Sequence, residues 1–367
     1  MWISAYPFPN RRVAPYRISP RLSDQCHPLS TIIASNREEC APRTAKPVRP
    51  LSLFAVLITV PAFAETRYEV VPDWPELPVG QTLGLCAGIG VDSHNNVFVF
   101  HRNARVWSTP FPDAPIAEPT VSVFDGSTGK LLTAWGAGEF IMPHGLTLDH
   151  EDNVWLTDVG RHQVFKFSHD GRLLLTLGER GKMGADQTHF DLPTDVAVLP
   201  DGSFYVSDGY RNTRVVKFDA SGRYQFEWGG KGAEPGRFNL PHGIAVDGRG
   251  RVFVCDRSNA RLQVFDAFGK FLAEWKGAAI GRPYGVSVAA NGHVFLIDGG
   301  DQSATEPERS KAVELDTVGN VIASIGSFGK APGQFQLGHD IAVARNGSVY
   351  VAEGKGRRVQ KFSPKSP

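Results

Sequence analysis

The sequence predicts an all-β fold, a six-bladed β-propeller whose ring is closed by an N-terminal strand completing the last blade. Two observations predict it. The first is a unit that recurs six times, over Gly88–Phe100, His144–Asp158, Thr194–Asp208, His242–Asp256, Tyr284–Asp298 and His339–Glu353. Each unit is an apolar-alternating strand, a polar turn rich in Gly, Asn and Asp, and a second strand ending near an Asp or Glu, which is period-2 patterning broken by turn chemistry. The second is a phrase, Pro-His-Gly-Leu-Thr-Leu at His144, Pro-His-Gly-Ile-Ala-Val at His242 and Gly-His-Asp-Ile-Ala-Val at His339, with intervals 242−144 = 98 and 339−242 = 97. Strand-rich units that repeat every 40 to 50 residues or so close into propellers, so this interval is two repeats.

The remaining strands follow in order. Third strands read as Gln163-Val-Phe-Lys-Phe167, Thr213-Arg-Val-Val-Lys-Phe218 and Arg261-Leu-Gln-Val-Phe265, each followed by a Gly turn and a fourth strand ending in Trp-Gly or Leu-Gly. The final copy stops after Val359-Gln-Lys-Phe362 and lacks its fourth strand, so Tyr68-Glu-Val-Val71 is expected to supply it. That pairing also removes an exposed sheet edge.

Alternate blades of a six-bladed ring sit about 120° apart, so histidines at equivalent positions on every second blade converge on one point. Three imidazoles with an open fourth position are how a catalytic zinc is held. The odd-numbered copies carry Thr194, Tyr284 and a residue of the Cys86-Ala-Gly88 stretch at this place. Asp208, Asp256 and Asp298 recur at another blade position and are expected to bond backbone amides.

A chain of 367 residues with 41% hydrophobic content, 39 Gly and 26 Pro suits one large glycine-rich β domain. The formal net charge of +1, with no basic cluster interleaved with aromatics, argues against nucleic acid as a partner. Residues 1–64 read as a presequence: Lys46-Pro-Val-Arg49 is a basic lead-in, 51–64 an apolar core, and Ala62-Phe-Ala64 a cleavage box. An apolar stretch of 14 residues falls short of the roughly 20 needed for a stable membrane span, so export, periplasmic or secreted, with cleavage near Ala64 is expected. Residues 65–367 then form one propeller domain. Its two cysteines, Cys86 and Cys255, fall three blades apart, too far for a disulfide, and are expected as buried free thiols.

Several phrases carry a resemblance. They are Phe100-His-Arg-Asn-Ala-Arg-Val-Trp107, Met142-Pro-His-Gly-Leu146, Pro193-Thr-Asp-Val-Ala-Val198, Val206-Ser-Asp-Gly-Tyr-Arg-Asn-Thr-Arg214, Pro235-Gly-Arg-Phe238 with Pro241-His-Gly243, and Asp256-Arg-Ser-Asn-Ala-Arg261. Together, over about residues 68–363, they resemble the peptidylamidoglycolate lyase (peptidyl-α-hydroxyglycine α-amidating lyase) family, six-bladed propellers of NHL-type repeats. The resemblance implies a catalytic Zn2+ on His144, His242 and His339, catalytic roles for Arg102, Tyr210 and Arg257, and a structural Ca2+ on Asp340 with the backbone carbonyls of Ile89 and Leu146.

The implied reaction cleaves the C–N bond of a peptidyl-α-hydroxyglycine, or a similar carbinolamide, to an amide and glyoxylate. A zinc on neutral imidazoles lowers the pKa of a bound hydroxyl. Arg102 suits a two-point contact with the substrate carboxylate, Arg257 can assist, and Tyr210 is the expected proton acceptor, a role that needs the adjacent cations and the metal to depress its pKa. The sequence departs from the family at Leu337-Gly-His-Asp340, where Met-Pro-His-Asp is usual, and at Arg211, which stands where animal members have a cysteine. It holds nothing that reads as a copper-dependent monooxygenase domain, so the hydroxylated precursor is expected from elsewhere. The rival expectation is a non-catalytic exported propeller that binds protein or glycan. A propeller lactonase fits less well, since no Glu or Asn takes the ligand place in blades two, four and six.

Overall fold

The computed structural model describes residues 68–301 and 308–365. The presequence, its cleavage box and Glu65 therefore lie outside the described residues.

Six four-stranded antiparallel sheets are arranged as blades around a central axis. Their innermost strands are Cys86–Val91, Pro143–Leu148, Pro193–Val198, Pro241–Val246, Pro283–Val288 and Gly338–Val343, and each packs against the inner strands of the blades before and after it. Among the described residues the only helical element is a single 3-10 turn, Arg257–Asn259. The outermost strand of the sixth blade is Tyr68–Val71, antiparallel to Val359–Pro364 with Tyr68 opposite Pro364. Among the described residues no helix is long and apolar enough to cross a membrane.

Burial follows the layers. Second strands such as Val154–Asp158, Phe204–Asp208 and Val252–Asp256 are buried at every residue, whereas the outer Leu131–Trp135 and Leu173–Leu177 are exposed or half-buried throughout. The core lies between blades, where aromatic and branched side chains interdigitate: Phe98, Phe100 and Val121 of blade one meet Leu146, Leu156 and Phe165 of blade two. Cys86 and Cys255 are buried free thiols.

Two devices aim this frame at its axis. Each inner strand carries a register shift at its start, as between Pro143 and Leu146 or Pro193 and Asp195. Such a bulge turns one side chain out of the ladder, and here it is the residue at the histidine place. The second device is the carboxylate that ends each second strand from blade two on. Asp158 accepts from the amides of Ile141 and Met142, Asp208 from Asp191, Asp256 from Asn239, Asp298 from Arg282 and Glu353 from Gln336. Each thus clips the segment entering its own blade's inner strand, the structural role expected for Asp208, Asp256 and Asp298.

Candidate active site and metal centre

His144, His242 and His339 meet at one point on the axis, their ring centroids 4.7 to 4.9 Å apart and their ligand atoms all within 4.8 Å of one another. Each ring is tied from behind by the blade that follows. The Nδ1 atoms lie 2.7 Å from the carbonyl oxygens of Thr194, Tyr284 and Ala87 respectively. A carbonyl only accepts, so Nδ1 carries the proton and the lone pair of each ring sits on Nε2. Glycine makes the approach possible: a Cβ on Gly145 would stand 2.5 Å from the Thr194 oxygen, and one on Gly243 2.6 Å from that of Tyr284.

All three imidazoles are held neutral. Burial is the main cause for each, with arginines adding to it at all three and neighbouring rings at His144 and His242; those two are pushed well below the usual range and His339 down to about 3. Three buried, tautomer-fixed, uncharged nitrogen donors suit zinc, and among the described residues no fourth His, Cys, Asp or Glu joins the group.

Three further side chains close around this point. Tyr210, half-buried, lies between two of the rings, its hydroxyl 3.1 Å from Nε2 of His144 and 3.3 Å from Nε2 of His242. Burial raises its phenol above its ordinary value near 10, against the downward pull of Arg257 and Arg102. The cations alone therefore do not produce the depressed pKa expected of a proton acceptor. Arg257 stands in the 3-10 turn, its Nη1 3.4 Å from the Tyr210 hydroxyl. Arg102, from blade one, donates through Nε to the Pro143 carbonyl at 2.7 Å, while its Nη2 is buried with no hydrogen-bond partner among the described residues. A buried guanidinium with a spare donor is costly unless an anion completes it.

Beneath the imidazoles a central cavity of about 270 Å³ is lined by Ile89, Leu146, Asp195 and Asp340 among others. Asp340 accepts from the amides of Ile89 and Ile341, and Asp195 from those of Val196 and Ile244. Burial pushes both carboxyls up, Asp195 to about 7, and the charge of Asp195 raises Asp340 further. Two buried carboxylates that repel one another suit a hard divalent cation with oxygen ligands.

The comparisons with known proteins bear on this arrangement. A model of the NHL repeat matches residues 140–167, 190–218 and 238–265. Peptidyl-alpha-hydroxyglycine alpha-amidating lyase 2 of Drosophila melanogaster is 31% identical over 320 residues, covering 81% of this chain and 74% of that protein. The chain belongs to the peptidyl-α-hydroxyglycine α-amidating lyase family. Peptidyl-glycine alpha-amidating monooxygenase B of Xenopus laevis is 36% identical over 326 residues, covering 82% of this chain but 36% of that protein. The chain thus spans about a third of the length of such amidating monooxygenases. Among solved structures, a streptogramin B lyase covers 81% of this chain with a TM-score of 0.53 at 13% identity, a likeness of fold alone.

Local contacts surround both departures from the family's phrases. At Leu337-Gly-His-Asp340 Ile297 packs closely on Gly338, its Cγ1 2.4 Å from where a Cβ there would stand. Around Arg211 the loop is held by polar contacts: Asn212 Nδ2 donates to the Gly184 carbonyl at 2.8 Å, and Arg214 to the carbonyls of Ala185, Asp186 and His189.

Sequence reasoning missed three things. Asp195 was not singled out, although Pro193-Thr-Asp-Val-Ala-Val198 aligns its aspartate with that of Gly-His-Asp-Ile-Ala-Val. The apolar wall of Trp107 and Phe111, on the cluster of buried Met142 and with Trp107 against Tyr210, was also missed. The carbonyls that fix the imidazoles left no signal, because every residue type has one.

Proposed function

We propose that this protein is a zinc-dependent carbon–nitrogen lyase that cleaves a peptidyl-α-hydroxyglycine, or a similar carbinolamide, to a peptide amide and glyoxylate. The observation that carries the reading is the convergence of three imidazoles with fixed Nδ1 protons on a point that the Tyr210 hydroxyl also reaches. Family membership supports it.

The reaction needs little covalent chemistry. The substrate hydroxyl gives up a proton, its C–O bond becomes the carbonyl of glyoxylate, and the C–N electron pair leaves with the amide nitrogen, which takes a proton. Zinc held by His144, His242 and His339 would supply a Lewis acid with an open position, whose charge favours the ionised form of a nearby hydroxyl. Tyr210 would act as its phenolate, a form that the charge of the bound zinc together with Arg257 and Arg102 would favour, taking the hydroxyl proton at its Oη and returning it to the nitrogen. Arg102 Nη2 and Arg257 hold the carboxylate end of the substrate, and their charge restrains that end while the bond opens. Burial keeps bulk water from competing for these donors. Calcium, held by Asp340 and the Ile89 and Leu146 carbonyls, would offset the two buried carboxylates below.

Export is part of the same reading, since the apolar run at 51–64 precedes the propeller. Glyoxylate release from a synthetic α-hydroxyglycine peptide by the purified chain, with and without chelator and with zinc added back, tests it. Zinc-dependent release is the expected result. A folded, zinc-loaded protein that releases none would overturn the lyase reading and favour a propeller that binds protein or glycan.

A further inference from the structure

We propose that Tyr284 is a positioning residue for this site: it holds the Arg257 guanidinium in place without neutralising it, so that the cation stays available to the carboxylate end of the ligand. The inference rests on the lyase reading for the identity of that ligand, but not for the geometry.

Blade five places Tyr284 where blades two, four and six carry histidine, and only 1% of it is exposed. Its backbone carbonyl orients His242. Any residue would provide that carbonyl, as Ala87 and Thr194 do, so the large buried side chain needs another explanation. Its ring lies 4.0 Å from Arg257 Cζ, and a hydrogen bond also joins the two side chains. Its ring centroid is 5.2 Å from that of His242 and 5.9 Å from that of His339. Arg257 is thus held between two tyrosines, with Tyr210 as the other partner at 3.4 Å.

The contrast with other arginines of the ring gives this meaning. Arg214, Arg261 and Arg358 each pair with the carboxylate that ends their blade's second strand. Among the described residues no carboxylate lies within ion-pair distance of Arg257 or Arg102. A carboxylate beside Arg257 would hold it equally well but would compete with an anionic ligand. An aromatic face attracts the cation through its quadrupole and leaves the charge in place. The main chain is fixed as well: the Arg257 amide donates to the Leu240 carbonyl at 3.1 Å, and Arg282 Nη1 donates to the carbonyls of Arg257 and Ser258 at 3.0 Å.

The test uses the full chain with Tyr284→Met, which removes the π face at similar bulk, and Tyr284→Phe, which keeps it. Hippurate, an uncleavable acylglycine with the same carboxylate end, serves as a binding probe in calorimetry beside glyoxylate-release kinetics. Tyr284→Met is expected to weaken hippurate binding and raise KM about tenfold, with kcat changed less and bound metal unchanged. Tyr284→Phe is expected to restore both to within about threefold. Tyr284→Leu replaces the Met variant if that one does not fold. Wild-type hippurate affinity and KM in Tyr284→Met or Tyr284→Leu would overturn the proposal, as would a loss that Tyr284→Phe does not rescue. If the wild type releases no glyoxylate yet binds hippurate in a Tyr284-dependent way, the lyase reading falls and the positioning role stands. If it does neither, both fall.

Discussion

Even and odd blades do different work at the axis. Blades two, four and six give it imidazoles; blades three, five and one give it carbonyl oxygens that hold those imidazoles by Nδ1. The donors of the first set are side chains and can be deleted singly. Those of the second are main chain, and they can be disturbed only by moving the strand that carries them. The lesson is that the identity of the site is written in one half of the ring and its precision in the other.

The comparison is broken most directly by His242→Ala. Bound zinc and turnover are expected to fall by on the order of 10³-fold or more, with the melting transition retained, as read by plasma mass spectrometry, glyoxylate release and circular dichroism. A variant with full activity would remove the site assignment. Gly145→Ala attacks the other half, because its Cβ would stand 2.5 Å from the Thr194 oxygen that bonds His144. Metal affinity is expected to drop about 10- to 100-fold in a competition titration with a chromophoric chelator, although every ligand is still present.

Smaller effects sharpen the contrast. Thr194 Oγ1 is bonded within the scaffold, to Ser207 and to the Pro241 carbonyl, whereas its carbonyl serves the site. Thr194→Val is therefore expected to cost about 1–3 kcal/mol in denaturant unfolding and to leave metal content at its wild-type level. Arg211→Ser should do least. Its guanidinium is 45% exposed and 3.8 Å from Asp191, so a stability change of about 0–1 kcal/mol and unaltered turnover are expected.

Much of this was legible in the sequence because repetition amplifies weak signals. One histidine at the start of such a strand says little, but three in phase with a six-bladed ring specify a common point. The same logic would have found Asp195, whose phrase matches that of Asp340, had the aspartates been aligned as the histidines were. Tyr284 was visible only as a departure from histidine, since nothing in one chain tells that its ring faces an arginine from the preceding blade. The place of Tyr210 at the site was legible, but the balance of forces on its proton was not. The acceptor role needs the arginines and a metal together to lower its pKa; burial outweighs the arginines alone, and that burial depends on packing such as that of Trp107 on its ring.

The pairing of Tyr68–Val71 with Val359–Pro364 sets a clock on this centre. The sixth blade, which holds His339 and Asp340, lacks its outer strand until the latest-made sheet of the propeller finds the earliest. The Ala87 carbonyl that steadies His339 also waits in the first blade for a partner made near the other end. A nascent chain can present two of the imidazoles but not the trio. An ion of the kind proposed for this site would therefore meet its full set of donors only in the closed ring.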